Sequence, residues 1–259
     1  MTSEPFVSII TPNFNCQEHI AETIDSVLAQ TCDDFEYIII DGVSNDGSIE
    51  IIKSYLKNIT KFICEKDEGM FDAVDKGIRS ANGEVIIWIN SDDILDKNAV
   101  KNVKKVFKLR PKTNWISCRN SFIKKDISFS TIPYLYPNFI IRFGYAQHRF
   151  WGFVQQESVA FRRKVYIDSG GLDKKSAAGD YHLWVKFSKI AKLENFFIKI
   201  GYFRSRKEQL SVKNREMYNY SIGNLKNRNY SFRLFRLIIS AIFLPFIYFK
   251  TVFLLKKNK

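Results

Sequence analysis

Hydrophobic and polar positions along this chain follow two periods in turn. Phe6 to Thr11, Phe35 to Ile40, Lys61 to Cys64 and Val85 to Ile89 are short apolar runs rich in β-branched residues, the pattern of buried strands. Between them apolar residues recur at helical spacing, as in Ile20, Ile24, Val27 and Leu28. The order is βαβαβαβ, which predicts an α/β fold with a mostly parallel, Rossmann-like sheet sandwiched by helices. Such sheets bind ligands outside the carboxyl ends of their strands. The residues just after each run therefore matter most.

Those residues are polar four times in succession. The runs lead into Thr11-Pro-Asn-Phe-Asn15, Asp41-Gly-Val-Ser-Asn-Asp-Gly47, Glu65-Lys-Asp-Glu-Gly69 and Asn90-Ser-Asp-Asp93. Each alone is also ordinary turn or helix-cap chemistry; four on one rim suggest a site. No Gly-x-Gly-x-x-Gly follows the first run, and Gly42 to Gly47 lacks the Gly-Lys-Ser/Thr ending of a phosphate loop, which argues against dinucleotide oxidoreductases and P-loop NTPases. An acidic rim repels bare phosphate, so a phosphorylated ligand here needs a divalent cation between the two. Adjacent carboxylates at Asp92 and Asp93 suit Mg2+ or Mn2+, and they equally suit a cap for the helix starting near Lys97.

Further along, Trp115 to Cys118 and Ser158 to Phe161 read as strands, while Tyr134 to Trp151 is an aromatic-rich connection without clear period. Aromatic faces beside a polar rim fit a sugar or acceptor platform. The loop Gly170 to Gly179 leads to Asp180, which opens a helix with apolar positions Leu183, Trp184, Phe187 and Ile190. Asp180 reads as an N-cap or as a general base. A helix start lowers its pKa, so basicity near neutral pH requires burial or a carboxylate such as Glu157 nearby.

Together with Ala178-Gly-Asp-Tyr-His-Leu-Trp184 and Asp67-Glu-Gly-Met-Phe-Asp-Ala-Val-Asp-Lys-Gly77, these motifs resemble, in order, the inverting family 2 glycosyltransferases of GT-A fold, over roughly residues 5 to 205. The resemblance implies a nucleotide-diphosphate sugar donor, most often a UDP-sugar, with Mg2+ or Mn2+. It assigns Thr11, Pro12, Phe14, Asp41, Asp67 and Asp92 to the donor nucleotide, with Phe14 on the uracil face, Asp41 on the uracil edge, Asp67 near base and ribose, and Asp92 beside ribose and diphosphate. Asp93 becomes the metal ligand and Asp180 the general base that deprotonates the acceptor for in-line, inverting displacement. Gln155-Gln-Glu-Ser158 resembles the acceptor-side segment of bacterial members, putting Trp151, Gln155 and Glu157 on the acceptor, with His182 next to Asp180. Two positions depart from the pattern: Phe14 stands where members usually have Tyr or a small polar residue, and Asp75 where they often have Asn.

Composition adds a second theme. Of the 259 residues, 40 are Lys or Arg and 27 Asp or Glu, yet the excess is local: residues 199 to 259 hold 14 basic and 2 acidic side chains. Within them Leu237 to Phe249 carries no charge and contains Pro245, a kink position. Thirteen helical residues span about 20 Å, short of the roughly 30 Å hydrocarbon core. Residues 1–205 thus read as the GT-A domain and 206–259 as a basic, partly apolar helical tail for a membrane surface, with no nucleic-acid role. The expected location is cytoplasmic, peripheral or monotopic on the inner face of the cell membrane, with a saccharide or lipid-linked acceptor. Cys16, Cys32, Cys64 and Cys118 have no zinc spacing and read as reduced thiols. A sugar-nucleotide nucleotidyltransferase and an inactive nucleotide-sugar or membrane-binding module are the alternatives; the first usually has a glycine-rich basic loop after strand one, which Asn13-Phe-Asn-Cys16 does not supply.

Overall fold

The computed structural model describes residues 4–124, 127–131, 133–146, 153–205, 216–217 and 230–256. Strands β1 (Val7–Asn13), β2 (Phe35–Asp41), β3 (Lys61–Cys64) and β4 (Val85–Trp88) alternate with helices α1 (Gln17–Leu28), α2 (Ser48–Ser54) and α3 (Met70–Ser80). There follow β5 (Ile94–Leu95), α4 (Ala99–Leu109), β6 (Trp115–Ser117), β7 (Ser121–Lys124), β8 (Ile127–Ser130), α5 (Asn138–Arg142), β9 (Val159–Arg162), α6 (Arg163–Asp168), α7 (Gly179–Ile190), β10 (Leu193–Asn195), β11 (Gly201–Arg204) and α8 (Tyr230–Lys256).

Seven strands form the main sheet in the order β10-β6-β9-β4-β1-β2-β3. All pairings are parallel except the two made by β9, which runs antiparallel between β4 and β6. The α/β architecture read from the sequence is therefore present. A second sheet, β5-β11-β7-β8, stands beside it.

Each central strand is buried on both faces, which is why it reads as a continuous apolar run. Alternate residues feed two cores: Ile10, Ile38, Ile40 and Ile86 pack with α3 and α7 on one face, and Ile9, Tyr37, Ile39 and Ile87 with α1 and α4 on the other. Gly77 lets α3 approach closely, since a Cβ there would lie 2.5 Å from both Ile10 and Ile40. Cys16 and Cys118 are buried and Cys64 is exposed, all of them free thiols.

Helix α8 runs through Pro245 as one element and lies along the edge of the main sheet at β10. Lys250 Nζ reaches Glu194 of β10 at 2.8 Å, and Lys105 of α4 donates to the carbonyl of Leu255.

Candidate active site

Strands β1 and β2 end together, with Asn13 and Asp41 as register partners. The Asp41 carboxylate is buried and accepts from Asn13 Nδ2 (2.6 Å), the Ser44 backbone N–H (2.7 Å) and Ser44 Oγ (2.8 Å). These bonds shape the loop after β2, where Val43 has φ 65° and Asn15, on the loop opposite, has φ 48°. A β-branched residue in the left-handed region is strained, and such strain persists only where the surroundings impose it. Asn15 is held by its own contacts, accepting from the Asn45 N–H at 2.9 Å and donating its N–H to Ser44 Oγ at 2.9 Å.

Gly42 sits at the floor of a recess. A Cβ there would stand 2.5 Å from Asp67 Oδ2 and 3.2 Å from the Phe14 ring, so Phe14, Asp67 and the backbone beside Asp41 converge on one spot. Phe14 is 63% exposed and offers a free ring face. Asp67 accepts the Gly69 N–H at 2.9 Å at the entrance to α3. Thr11 and Pro12 lie deeper, both buried, and Thr11 Oγ1 accepts the Tyr37 phenol at 3.2 Å.

The second part of the rim follows β4. Asn90 to Asp93 forms a turn closed by the Asp93 N–H on the Asn90 carbonyl (3.1 Å), and Thr23 Oγ1 supports it from α1 at 2.9 and 2.8 Å from the Ser91 and Asp93 carbonyls. The Asp93 carboxyl is 1% exposed. It accepts the Arg204 backbone N–H (2.8 Å) and Asn90 Nδ2 (3.1 Å), and the same Asn90 amide lies 3.3 Å from Glu157 Oε1, which sets the two carboxyls side by side. Arg204 also donates from Nε to the Asp92 carbonyl at 2.8 Å. Asp92 itself is half-buried.

Burial, then the neighbouring Glu157 and Asp92, hold the Asp93 carboxyl well above the usual carboxylate range, and burial pushes Glu157 up to about 7. Two buried acids in contact cannot both ionise without a proton or a cation between them. The carboxylate oxygens of this corner are the hard donors a divalent ion takes, and they are held here by the Asn90 amide and the Arg204 N–H. Among the described residues no group of three acidic, histidine or cysteine side chains is arranged to hold a metal ion.

Asp180 opens α7. A Cβ on Gly179 would meet the Phe71 ring at 2.8 Å, so this helix end is seated on Phe71. Phe71 stands edge-on to Trp88 at 6.0 Å, and Trp88 Nε1 donates to Asn90 Oδ1 at 2.9 Å. One chain of contacts thus links the Asp180 end of α7 to the Asp93 turn. Burial raises the Asp180 pKa, partly offset by backbone N–H groups at the helix start and by His182. Glu157 belongs to the Asp93 corner, so of the two devices considered for Asp180, burial is the one in place. His182 Nδ1 lies 3.0 Å from Ser176 Oγ. Gln155 is buried, its amide donating to the Ser121 carbonyl at 3.0 Å. Trp151 lies outside the described residues.

The loop before Asp180 is tied to the donor side. Lys174 Nζ lies 2.7 Å from Asp72 and 3.1 Å from Asp75, and Asp72 accepts the Glu68 N–H at 3.1 Å, next to Asp67. Asp75 further accepts from Tyr166 Oη (2.6 Å) and Arg79 Nε (2.9 Å). The departure at Asp75 is therefore a buried pin joining α3, α6 and the loop. Sequence reasoning missed three members of this arrangement: Lys174, Asn13 as partner of Asp41, and Arg204, which the charge count absorbs into the tail.

Comparison with known proteins agrees with this geometry. Residues 8–170 match the family described as Glycosyl transferase family 2. The chain is 34% identical over 101 residues to the putative teichuronic acid biosynthesis glycosyltransferase TuaG of Bacillus subtilis, covering 38% of this chain and 40% of that one. It is 27% identical over 245 residues to the chondroitin synthase of Pasteurella multocida, covering 88% and 24%. The chain thus spans well under half of the curated relatives it matches. In fold it is similar to S. aureus TarS 1-349 in complex with UDP-GlcNAc (TM-score 0.66, 16% identity, 79% of this chain and 60% of that one). It is also similar to the mannosyltransferase PcManGT from Pyrobaculum calidifontis in complex with GDP-Man and Mn2+ (TM-score 0.61, 17% identity, 99% and 75%). The chain belongs to glycosyltransferase family 2, and its architecture is the GT-A fold.

Proposed function

We propose that this protein transfers a sugar from a nucleotide-diphosphate donor, a UDP-sugar in the first instance, to a saccharide or lipid-linked acceptor with inversion. The observation that carries this reading is the shared rim: the Phe14, Gly42 and Asp67 recess beside Asp41, next to the buried Asp93 and Glu157 pair. Phe14 stacks on the base, and Asp41, held in place by Asn13 and Ser44, fixes the loop that meets its edge. Asp67 takes the ribose side. Asp93, with Asp92 and Glu157 beside it, would hold Mg2+ or Mn2+. When bound, that ion supplies positive charge against the negative charge that builds on the departing diphosphate.

Asp180 accepts the proton of the acceptor hydroxyl as the hydroxyl attacks the anomeric carbon from the face opposite the diphosphate, and the configuration inverts. Its raised pKa makes it a stronger base than an ordinary surface carboxylate. The TarS complex with UDP-GlcNAc supports a uridine donor and the PcManGT complex with Mn2+ supports a divalent ion, each as a property of that protein. The basic, apolar C-terminal segment holds the enzyme at an anionic membrane surface, on the cytoplasmic face where nucleotide sugars are made.

The test is a panel of nucleotide sugars with Mn2+ read by thermal shift, followed by donor hydrolysis. One donor should stabilise selectively by linkage, and metal-dependent hydrolysis of it should vanish in Asp93→Ala. Equal, metal-independent responses to all donors would reject the reading.

A further inference from the structure

Helix α8 is apolar on both of its sides, with Ile247 and Leu254 buried against the body and a row of large apolar side chains on the outer face. Its polar groups face the body: Ser240 Oγ accepts the Leu135 N–H at 3.3 Å, Thr251 Oγ1 accepts the Phe197 N–H at 2.9 Å, and Lys250 pairs with Glu194. Its large apolar side chains face outward, with Phe246 and Phe253 each 70% exposed and Ile242, Phe243 and Phe249 exposed beside them. A helix packed on a water-soluble body turns a polar face outward. An apolar patch of this kind marks a contact surface.

Charge decides what covers it. Arg233 and Arg236 precede the uncharged stretch, and beyond Lys250, which is held by Glu194, come Lys256, Lys257 and Lys259. Two copies meeting through this face would bring those cations together. An anionic bilayer accepts the apolar face and the basic flanks at once. The helix is also held to the body along its length, at Leu135, Glu194, Phe197 and Lys105. It cannot cross a bilayer in this arrangement without drawing the body in.

A second apolar pair is exposed on the segment that α8 holds. Leu135, bonded to Ser240, lies three residues before α5, and Phe139 in α5 and Phe143 just after it, one turn apart, are exposed while Ile140 and Ile141 are buried. At the far end the Gly144 carbonyl accepts the Tyr181 phenol at 2.6 Å. Tyr181 follows Asp180 in the chain. Residues 135–144 therefore run from α8 to the first turn of the helix that carries the proposed base.

We propose that α8 lies in the plane of an anionic leaflet, that Phe139 and Phe143 extend this docking surface toward Asp180, and that the acceptor is lipid-linked. Its sugar reaches Asp180 while its lipid stays in the leaflet. The proposal deepens the membrane and transfer reading above and rests on it.

Vesicles of phosphatidylcholine with and without phosphatidylglycerol test the surface, using the full chain. Phe246→Asp and Phe253→Asp should each lower partitioning to anionic vesicles by about tenfold or more, the cost of removing one buried aromatic side chain; Phe143→Asp should lower it less. All three should keep the wild-type melting temperature and the shift produced by UDP with Mn2+, which separates failure of the surface from failure of the donor site. Unchanged partitioning in Phe246→Asp, or a concentration-dependent dimer that Phe246→Asp dissolves, overturns the bilayer assignment. Unchanged partitioning in Phe143→Asp removes α5 from the surface.

Depth quenching by doxyl lipids separates lying from spanning. Probes on Ile242→Cys and Phe253→Cys should report one shallow depth, whereas a spanning helix sets them about 16 Å apart. For the acceptor, the lipid phase of a bacterial membrane extract should stimulate UDP release and the aqueous phase should not. Phe143→Asp should lose that stimulation while keeping donor hydrolysis in buffer. Stimulation by the aqueous phase alone overturns the lipid-linked acceptor.

Discussion

Asp93 and Glu157, 64 positions apart in sequence, share the side-chain amide of Asn90, at 3.1 and 3.3 Å, in a buried corner between the β4 turn and the start of β9. Like charges at contact cost stability that a proton or cation relieves. Asp93→Asn is therefore expected to raise the melting temperature of the metal-free protein by a few degrees, since each ~1 kcal/mol is worth roughly 2–4 °C at this size. It should also lower transfer by about 100-fold or more. Differential scanning fluorimetry with EDTA or Mn2+, paired with UDP release, measures both.

Asp180 carries a pH signature. Its pKa is raised by burial, so at low pH it is protonated and unable to take the acceptor proton. The rate should rise with pH through a limb lying above the ordinary carboxylate value of about 4. Asp180→Asn should lose about 100- to 10,000-fold in kcat with UDP binding intact. A raised acid pKa also withdraws stability as pH rises, so at neutral pH this variant should be as stable as the wild type or more so.

Lys174 has the opposite sign. Burial alone would raise Asp75, but Arg79, Tyr166 and Lys174 more than offset it, and Asp72 is lowered in the same way by Lys174, the Glu68 N–H and Lys76. Acids depressed in the fold contribute stability above about pH 4 that is lost as pH falls through their folded pKa. Lys174→Met should therefore melt below wild type at neutral pH, with the gap closing below about pH 4. Because Lys174 ties the Asp180 loop to α3, kcat should fall more than donor affinity, and Lys174→Arg should recover most of it.

In the proposed donor site Phe14 would offer the base an open aromatic face and no hydroxyl. Stacking of a base on an aromatic ring contributes on the order of 1–3 kcal/mol. Phe14→Ala should weaken UDP binding by about 5- to 100-fold, from those 1–3 kcal/mol, while Phe14→Tyr stays near wild type. Isothermal titration with UDP and Mn2+ distinguishes them.

The central strands were legible because both of their faces are buried. Phe35 to Ile40 can be read from composition alone, and the polar residues that end it fall on the rim by topology. Strand direction is not written in an apolar run. Val159 to Phe161 reads the same parallel or antiparallel, so nothing local assigned Glu157 to Asp93 rather than to the acceptor side. The second sheet escaped notice because its strands are two to four residues long and pair across distant positions, as Phe203 does with Phe122. Arg204 acts on Asp93 through its backbone N–H, a role no side-chain inventory reveals. Lys174 and Asp72 meet only once α3 and the loop before α7 are packed.

The reversed course of β9 has a further effect on how this enzyme can vary. A strand laid against the grain brings its beginning, not its end, to the edge where chemistry occurs. Glu157 is therefore delivered by counting backward from a ladder whose rungs are fixed at Ala160 and Phe161. A single residue inserted between Glu157 and Val159 would shift the acid out of the corner and leave Asp93 facing Ser158 or the inserted residue, and a deletion of Ser158 would bring Gln156 there instead.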